Sequence, residues 1–126
     1  MSTLVPSNNI NKFSFPYPSS LNYYQNEALK TALYPKHRAL EYTTLGLVSE
    51  AGEVAGKVKK ILRGDPGTLT DDYFSKIADE LGDVLWYVAT LADALHLTLD
   101  DVAERNLVKL KQRQTNGTIK GSGDTR

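Results

Sequence analysis

The chain has 126 residues, enough for one domain with a modest core. Its 15 basic and 15 acidic residues cancel, so overall charge points to neither a nucleic-acid nor a membrane partner. It has no cysteine, which excludes disulfides, zinc–thiolate sites and a thiol nucleophile. Charges interrupt every apolar stretch before membrane-spanning length, and no basic region precedes an apolar run at the start. A cytoplasmic protein is the expectation.

Residues 1–19 contain Pro6, Pro16 and Pro18 among many Asn and Ser, and read as an irregular arm. Ser20 can cap a first helix running to about Leu33, where Tyr34-Pro35 stops it. A second helix is predicted from about Arg38 to Arg63, with Leu47, Ala51, Val54, Val58, Ile61 and Leu62 as its core stripe. Gly64 is its expected C-cap, and Asp65-Pro66-Gly67 a turn. Thr70 can cap a third helix that reaches about Leu95, with Ile77, Leu81, Val84, Leu85, Val88 and Leu91 inward. Thr98 and Asp101 resemble a capping box for a fourth helix, about Leu99 to Gln114, with Val102, Leu107 and Leu110 apolar. Residues 115–126 read as a flexible tail, so the helical domain is expected over 20–114. There is no repeat and no strand signal beyond a short aromatic alternation near the start. The fold class is all-α, a four-helix bundle whose short core is expected to be completed by oligomerisation.

Two acidic pairs carry the chemistry: Glu50-Ala-Gly-Glu53 and Glu80-Leu-Gly-Asp83. Carboxylates three residues apart share one helix face, and both pairs flank an apolar stripe rather than opposing it. Two such helices side by side would gather four carboxylates at the rim of a seam. That much like charge is costly to desolvate unless hard cations sit among it. An oxygen-only set suits Mg²⁺ or Mn²⁺ rather than zinc. Ordinary solvated ion pairs, Glu53 with Lys57 and Lys76 with Glu80, are the competing reading. Gly46, Gly52, Gly56 and Gly82 all fall inside predicted helix, at about 1 kcal/mol each against alanine, so another group is expected close to the backbone there. The only histidines, His37 and His96, stand at no Glu-x-x-His spacing, which argues against a di-iron carboxylate bundle. Beyond Arg105 the basic residues Lys109, Lys111, Arg113, Lys120 and Arg126 face Asp124 alone, a balance suited to a phosphate-rich ligand.

The stretches LGLVSEAGEVA (Leu45 to Ala55) and DELGDVLWY (Asp79 to Tyr87) resemble the MazG-like family of all-α nucleoside triphosphate pyrophosphohydrolases. The resemblance covers about residues 21–114. It implies hydrolysis of a (deoxy)nucleoside triphosphate to the monophosphate and pyrophosphate, by attack of a metal-activated water at the α-phosphorus. Carried over by position, Glu50, Glu53, Glu80 and Asp83 are the catalytic residues and the ligands of two or more Mg²⁺ ions, with Mn²⁺ as a substitute. Many members have a further Glu before the first motif acid; Ser49 stands there in this chain, which leaves the general base unassigned. Asn106, Lys109 and Arg113 look like the nucleotide-facing edge of the last helix. Lys57, Lys60 and Arg63 are candidates for the leaving pyrophosphate, and Trp86 and Tyr87 for the pocket wall. Similarity to purine-accepting members implies dGTP or GTP, and the apolar helices imply a homodimer or homotetramer. A non-enzymatic helical interaction module is the alternative reading; it predicts no Mg²⁺-dependent nucleotide binding.

Overall fold

A computed structural model describes residues 20–64 and 71–120, and within them the chain is all-helical. The predicted arm at 1–19, the Asp65-Pro66-Gly67 turn, the Thr70 cap and the tail from 121 lie outside the described residues. The elements are α1 (Leu21–Leu29), a 3-10 turn (Lys36–Arg38), α2 (Ala39–Arg63), α3 (Asp71–Ala94) and α4 (Leu99–Thr115). Helix α1 is capped by Ser20, whose Oγ accepts from the Tyr23 N–H at 3.0 Å. It ends a turn earlier than the expected Leu33. Lys30, Thr31 and Ala32 donate backbone N–H bonds three residues back, and the Thr31 hydroxyl also donates to the Ala28 carbonyl. That local competition for carbonyls tightens and closes the helix.

Helices α2 and α3 form the main packed pair, and their contacts run in opposite chain order. Tyr42 meets Tyr87, and Lys57 meets Glu80. They are therefore antiparallel. Helix α1 packs on α3, and α4 packs on α1 and α3, with no close backbone approach between α4 and α2 among the described residues.

The start of α4 shows how the parts are tied together. A helix leaves its first four N–H groups without partners inside the helix. Here Leu99 N–H donates to Gln25 Oε1 (3.0 Å), Asp100 N–H to Asn22 Oδ1 (2.9 Å) and Asp101 N–H to Thr98 Oγ1 (3.1 Å). Val102 N–H donates to the Thr98 carbonyl. The Thr98 N–H returns a bond to Asp101 Oδ2, completing the expected capping box. Those bonds from the Thr98 backbone and hydroxyl hold the Asp101 carboxyl below its usual range. Gln25 is buried and also donates through Nε2 to the carbonyls of Ala89 and Leu97. It therefore joins α1, α3 and α4 at one point. Replacing Gln25 with leucine orphans the Leu97 carbonyl and the Leu99 N–H, and should cost about 2–4 kcal/mol. Urea unfolding of the variant would measure it.

Helices α3 and α4 end with the same hydrogen-bond pattern. Leu97 N–H donates to the Ala92 carbonyl and His96 N–H to Asp93; Thr118 N–H donates to Arg113 and Gly117 N–H to Gln114. Each is a Schellman closure with its reversing residue in the left-handed region: His96 at φ 59° and Gly117 at φ 67°. The residues just after α4 are thus a closed turn, where a flexible tail was expected. Gly64 caps α2 as expected, though with extended rather than left-handed backbone.

The core is thinner than the sequence pattern implied. Among the described residues the buried apolar side chains are Ala28, Ala89, Ala92 and Leu99. Of the expected core stripes, Leu62 is 78% exposed, Val58 42%, Leu81 54%, Leu107 65% and Leu110 41%; Ala51 and Leu85 are exposed too. The periodicity was read correctly as helix, but a single copy has nothing to cover much of it. Leu40, Thr44, Val48, Ala51, Ala55, Val58 and Leu62 form one exposed stripe on α2; Ala78, Leu81 and Leu85 form another on α3. By helical phase both fall on the same side of the antiparallel pair, and Glu53 and Asp83 on the opposite rim.

Candidate metal centre

Glu50 and Glu80 sit in the α2–α3 seam, half-buried, and Asp83 stands exposed at its rim. Each offers an oxygen lying within 4.8 Å of the others, the one such group of metal-ligating side chains among the described residues. Glu53, one turn along α2 from Glu50, is exposed and lies outside that tight group. Its charge still acts on Glu50. Partial burial, then Asp83, Glu80 and Glu53 in that order, push the Glu50 carboxyl above its usual range. Three crowded carboxylates with hard oxygen donors and mutual repulsion fit a divalent cation.

A lysine supplies part of that charge. Lys57 Nζ lies 3.2 Å from Glu80 Oε1, an ion pair across the seam with both side chains mostly covered. The ion pairs of the competing reading do not form: Lys57 pairs with Glu80 rather than Glu53, and Lys76 with Asp72 at 2.7 Å rather than Glu80. Beyond Lys57 the seam opens into a cleft of about 390 Å³ lined by Lys57, Lys60, Arg63, Tyr73 and Lys76.

Toward the other end, the seam is closed by rings. Tyr34 stacks on Tyr42 (5.1 Å between centroids) and meets Trp86 edge-on at 6.2 Å. Trp86 meets Tyr87 edge-on at 4.9 Å, and Tyr87 lies 6.3 Å from Tyr42. Trp86 Nε1 donates to Thr31 Oγ1 at 2.8 Å, so the turn that closes α1 holds the indole in place. Burial, a hydrogen bond to Tyr42, and the charges of Tyr42, Glu50 and Asp83 raise the Tyr87 hydroxyl above its usual range. Tyr24 of α1 is raised by burial and by Asp83. Sequence reasoning named Trp86 and Tyr87 but missed Tyr24, Tyr34 and Tyr42. The four-residue step Tyr42–Gly46–Glu50 puts all three on one helix face, and that signal could have found Tyr42.

The helical glycines separate into two kinds. At Gly46 an added methyl would overlap the Tyr87 ring, so this glycine makes room for the ring beside Glu50. Gly52, Gly56 and Gly82 meet nothing within 4 Å, against the expectation of a close neighbour in the folded chain. Replacing Gly46 with alanine gains about 1 kcal/mol of helix propensity but overpacks the site by about 1–3 kcal/mol. The expected net result is a protein that melts lower than wild type, whereas Gly52→Ala melts higher. Thermal scans of the pair would check both signs.

The α4 candidates divide. Asn106 and Lys109 are exposed and line a broad groove of about 1020 Å³ with Leu95, Arg105 and Val108. Arg113 is buried, and its Nε has no hydrogen-bond partner among the described residues. Since α4 does not approach α2, the single chain leaves this stripe apart from Glu50 and Glu53.

Comparison with known proteins agrees with this geometry. The chain is 50% identical over 109 residues to the Gene 37 protein of Mycobacterium phage L5, covering 82% of this chain and 96% of that protein. No solved structure gives a significant match. The description "MazG nucleotide pyrophosphohydrolase domain" matches residues 38–118, which include all four motif acids and α2 through α4. The chain belongs to the MazG nucleotide pyrophosphohydrolase family.

Proposed function

We propose that this chain hydrolyses a (deoxy)nucleoside triphosphate to the monophosphate and pyrophosphate, with water attacking the α-phosphorus along the α2–α3 seam. The observation that carries the reading is the order of groups along that seam: rings, then carboxylates, then cations. Glu50, Glu80 and Asp83, with Glu53 at the rim, would hold Mg²⁺ or Mn²⁺, two or more ions per site. Bound divalent ions lower the pKa of coordinated water and offset phosphate charge.

The chain's own residues then set the direction of the substrate. Tyr42, Trp86 and Tyr87 form the wall on which a base and sugar can rest. Lys57, Lys60 and Arg63 lie one to three turns beyond Glu53, about 6–15 Å by helical rise, where the β- and γ-phosphates would reach. Cations there stabilise the negative charge that develops on departing pyrophosphate. Lys57, paired with Glu80 across the seam, stands between the carboxylates and the other cations, where it could also meet phosphate. Asn106 and Lys109 of α4, exposed but apart from the carboxylates in one chain, would complete the nucleotide site from a second copy; Arg113, the third residue expected there, is buried and would have to turn outward to join them. The favoured substrate is dGTP or GTP. Screening all canonical NTPs and dNTPs for pyrophosphate release, with and without Mg²⁺, tests the reading. No release from any of them with the metal present would overturn it.

The exposed apolar side of the hairpin supports a homodimer or homotetramer. Leu40, Val48, Val58 and Leu62 repeat at helical spacing beside Leu81 and Leu85, and a second copy would bury them against their own equivalents. Each aliphatic side chain taken from water is worth about 1.5–3 kcal/mol. Light scattering should give an oligomer for wild type, and monomer or aggregate when Val58 and Leu62 are both made aspartate. No described helix is long and apolar enough to cross a membrane.

A further inference from the structure

A cleft of about 550 Å³ opens at the C-terminal end of α3, and the seam chemistry makes no use of it. The 3-10 turn contributes Lys36 and His37, the end of α3 contributes Asp93 and His96, and the α1–α2 link contributes Tyr34. Leu29 and Ala94 add apolar wall. Asp93 lies ten residues beyond Asp83 on the same helix, so the cleft is about 15 Å from the carboxylates. Its volume is within the range of small-molecule sites, about 300–1,000 Å³.

Three features indicate its ligand. Lys36 is the cation of the lining and Asp93 its carboxylate, and the two imidazoles add N–H donors on the Lys36 side, so an anion can be met there by charge and hydrogen bonds together. His37, His96 and Asp93 do not come within 4.8 Å as a group, too spread to chelate a metal but suited to a larger molecule spanning them. His96 occupies the left-handed position that glycine fills at the end of α4. A side chain with a Cβ is strained there, and strain kept at a cleft wall points to a use for the side chain. The residues from Leu29 to His37 also lie outside the stretch matched to the family, 38–118. This wall is therefore built by sequence additional to the matched domain.

We propose that this cleft is a second binding site, for a nucleoside monophosphate whose phosphate meets Lys36, His37 and His96. The sugar hydroxyls donate to Asp93, and Tyr34 with Leu29 covers the base. The choice of a nucleotide rests on the proposed reaction, of which the monophosphate is a product; the anion site itself does not.

The test titrates the full chain in EDTA with each common ribo- and deoxyribonucleoside monophosphate, by calorimetry. At least one should bind saturably at one per chain. Its affinity should fall at least ten-fold in the K36A/H37A double variant and stay unchanged in E80Q. His96→Gly should also weaken binding while melting higher than wild type, so that loss of affinity cannot reflect unfolding. No binding without metal, or binding lost in E80Q but kept in K36A/H37A, would overturn the site. Inorganic phosphate binding as tightly as every monophosphate would overturn the nucleotide assignment. The seam reading fails separately, if E80Q still releases pyrophosphate at the wild-type rate.

Discussion

Replacing Glu80 with glutamine should lower pyrophosphate release by about 10²–10³-fold or more, while leaving far-ultraviolet circular dichroism unchanged. Glu80 sits in the middle of the seam, within reach of Glu50 and Asp83 and paired with Lys57. Glutamine keeps its length and its helix propensity, so the backbone has no reason to change. What goes is one negative charge among the groups that would hold divalent ions against triphosphate. Losing a single preorganised charge-stabilising group typically costs a reaction about 10²–10³-fold. The same variant should bind Mn²⁺ more weakly, which a titration can read without any turnover. Glu53→Gln is expected to follow it in direction, with a smaller effect on ion binding, because Glu53 stands outside the tight group. Wild-type pyrophosphate release by E80Q would remove the seam from consideration as the catalytic site.

Glu50→Gln should do two opposite things: abolish metal-dependent activity and make the metal-free protein more stable. Glu50 is held above the usual carboxylate range by partial burial and by Asp83, Glu80 and Glu53. A folded-state value above the unfolded one means that the folded chain binds more protons in the window between them. Stability of the metal-free protein therefore rises as pH falls from above Glu50's folded value toward the ordinary carboxylate value. Above Glu50's folded value the full repulsion is present. Relief of one like-charged neighbour on a helix is worth about 0.2–0.5 kcal/mol, and so a rise in Tm of up to about 2–4 °C is expected for the variant. Divalent metal should reverse the ranking. Saturation at a hundred times Kd adds about 2.7 kcal/mol to wild type, and the variant should gain much less. Thermal melts of both proteins, with EDTA and with Mg²⁺, check the pattern. A variant that melts below wild type in EDTA would show that the carboxylates do not strain one another as the geometry implies.

Both results follow from one conflict. The family's chemistry needs acids crowded where water is partly excluded, and a folded chain without metal resists that crowding. Lys57 eases it by pairing with Glu80 across the seam. This pairing could not be read from spacing, because helical periodicity relates residues on one helix and says nothing of which residue on another helix lies opposite.

Local patterns decided a good deal. Ser20, Thr98 with Asp101 and Gly64 marked three helix ends, since capping is a contest among residues a few positions apart. The i and i+3 acids declared a shared face on each helix. Periodic apolar residues declared four helices, and the sequence of the two motifs was enough to identify the family later matched over 38–118.

Sequence by itself therefore determined helix number, the ends marked by Ser20, Gly64 and Thr98, and the face each acid occupies, because these depend on neighbours within a turn; the end of α1 at Leu29 was not among them. Tertiary structure alone decided that Glu53 stands apart from Glu50, Glu80 and Asp83, that Tyr34 and Tyr42 join the rings near them, that Tyr24 feels the charge of Asp83, and that Arg113 is buried. It also decided that Leu62, Leu81 and Leu107, though placed at core spacing, remain exposed in one copy. Spacing tells which side of a helix is apolar; only the packing of whole helices settles what covers it.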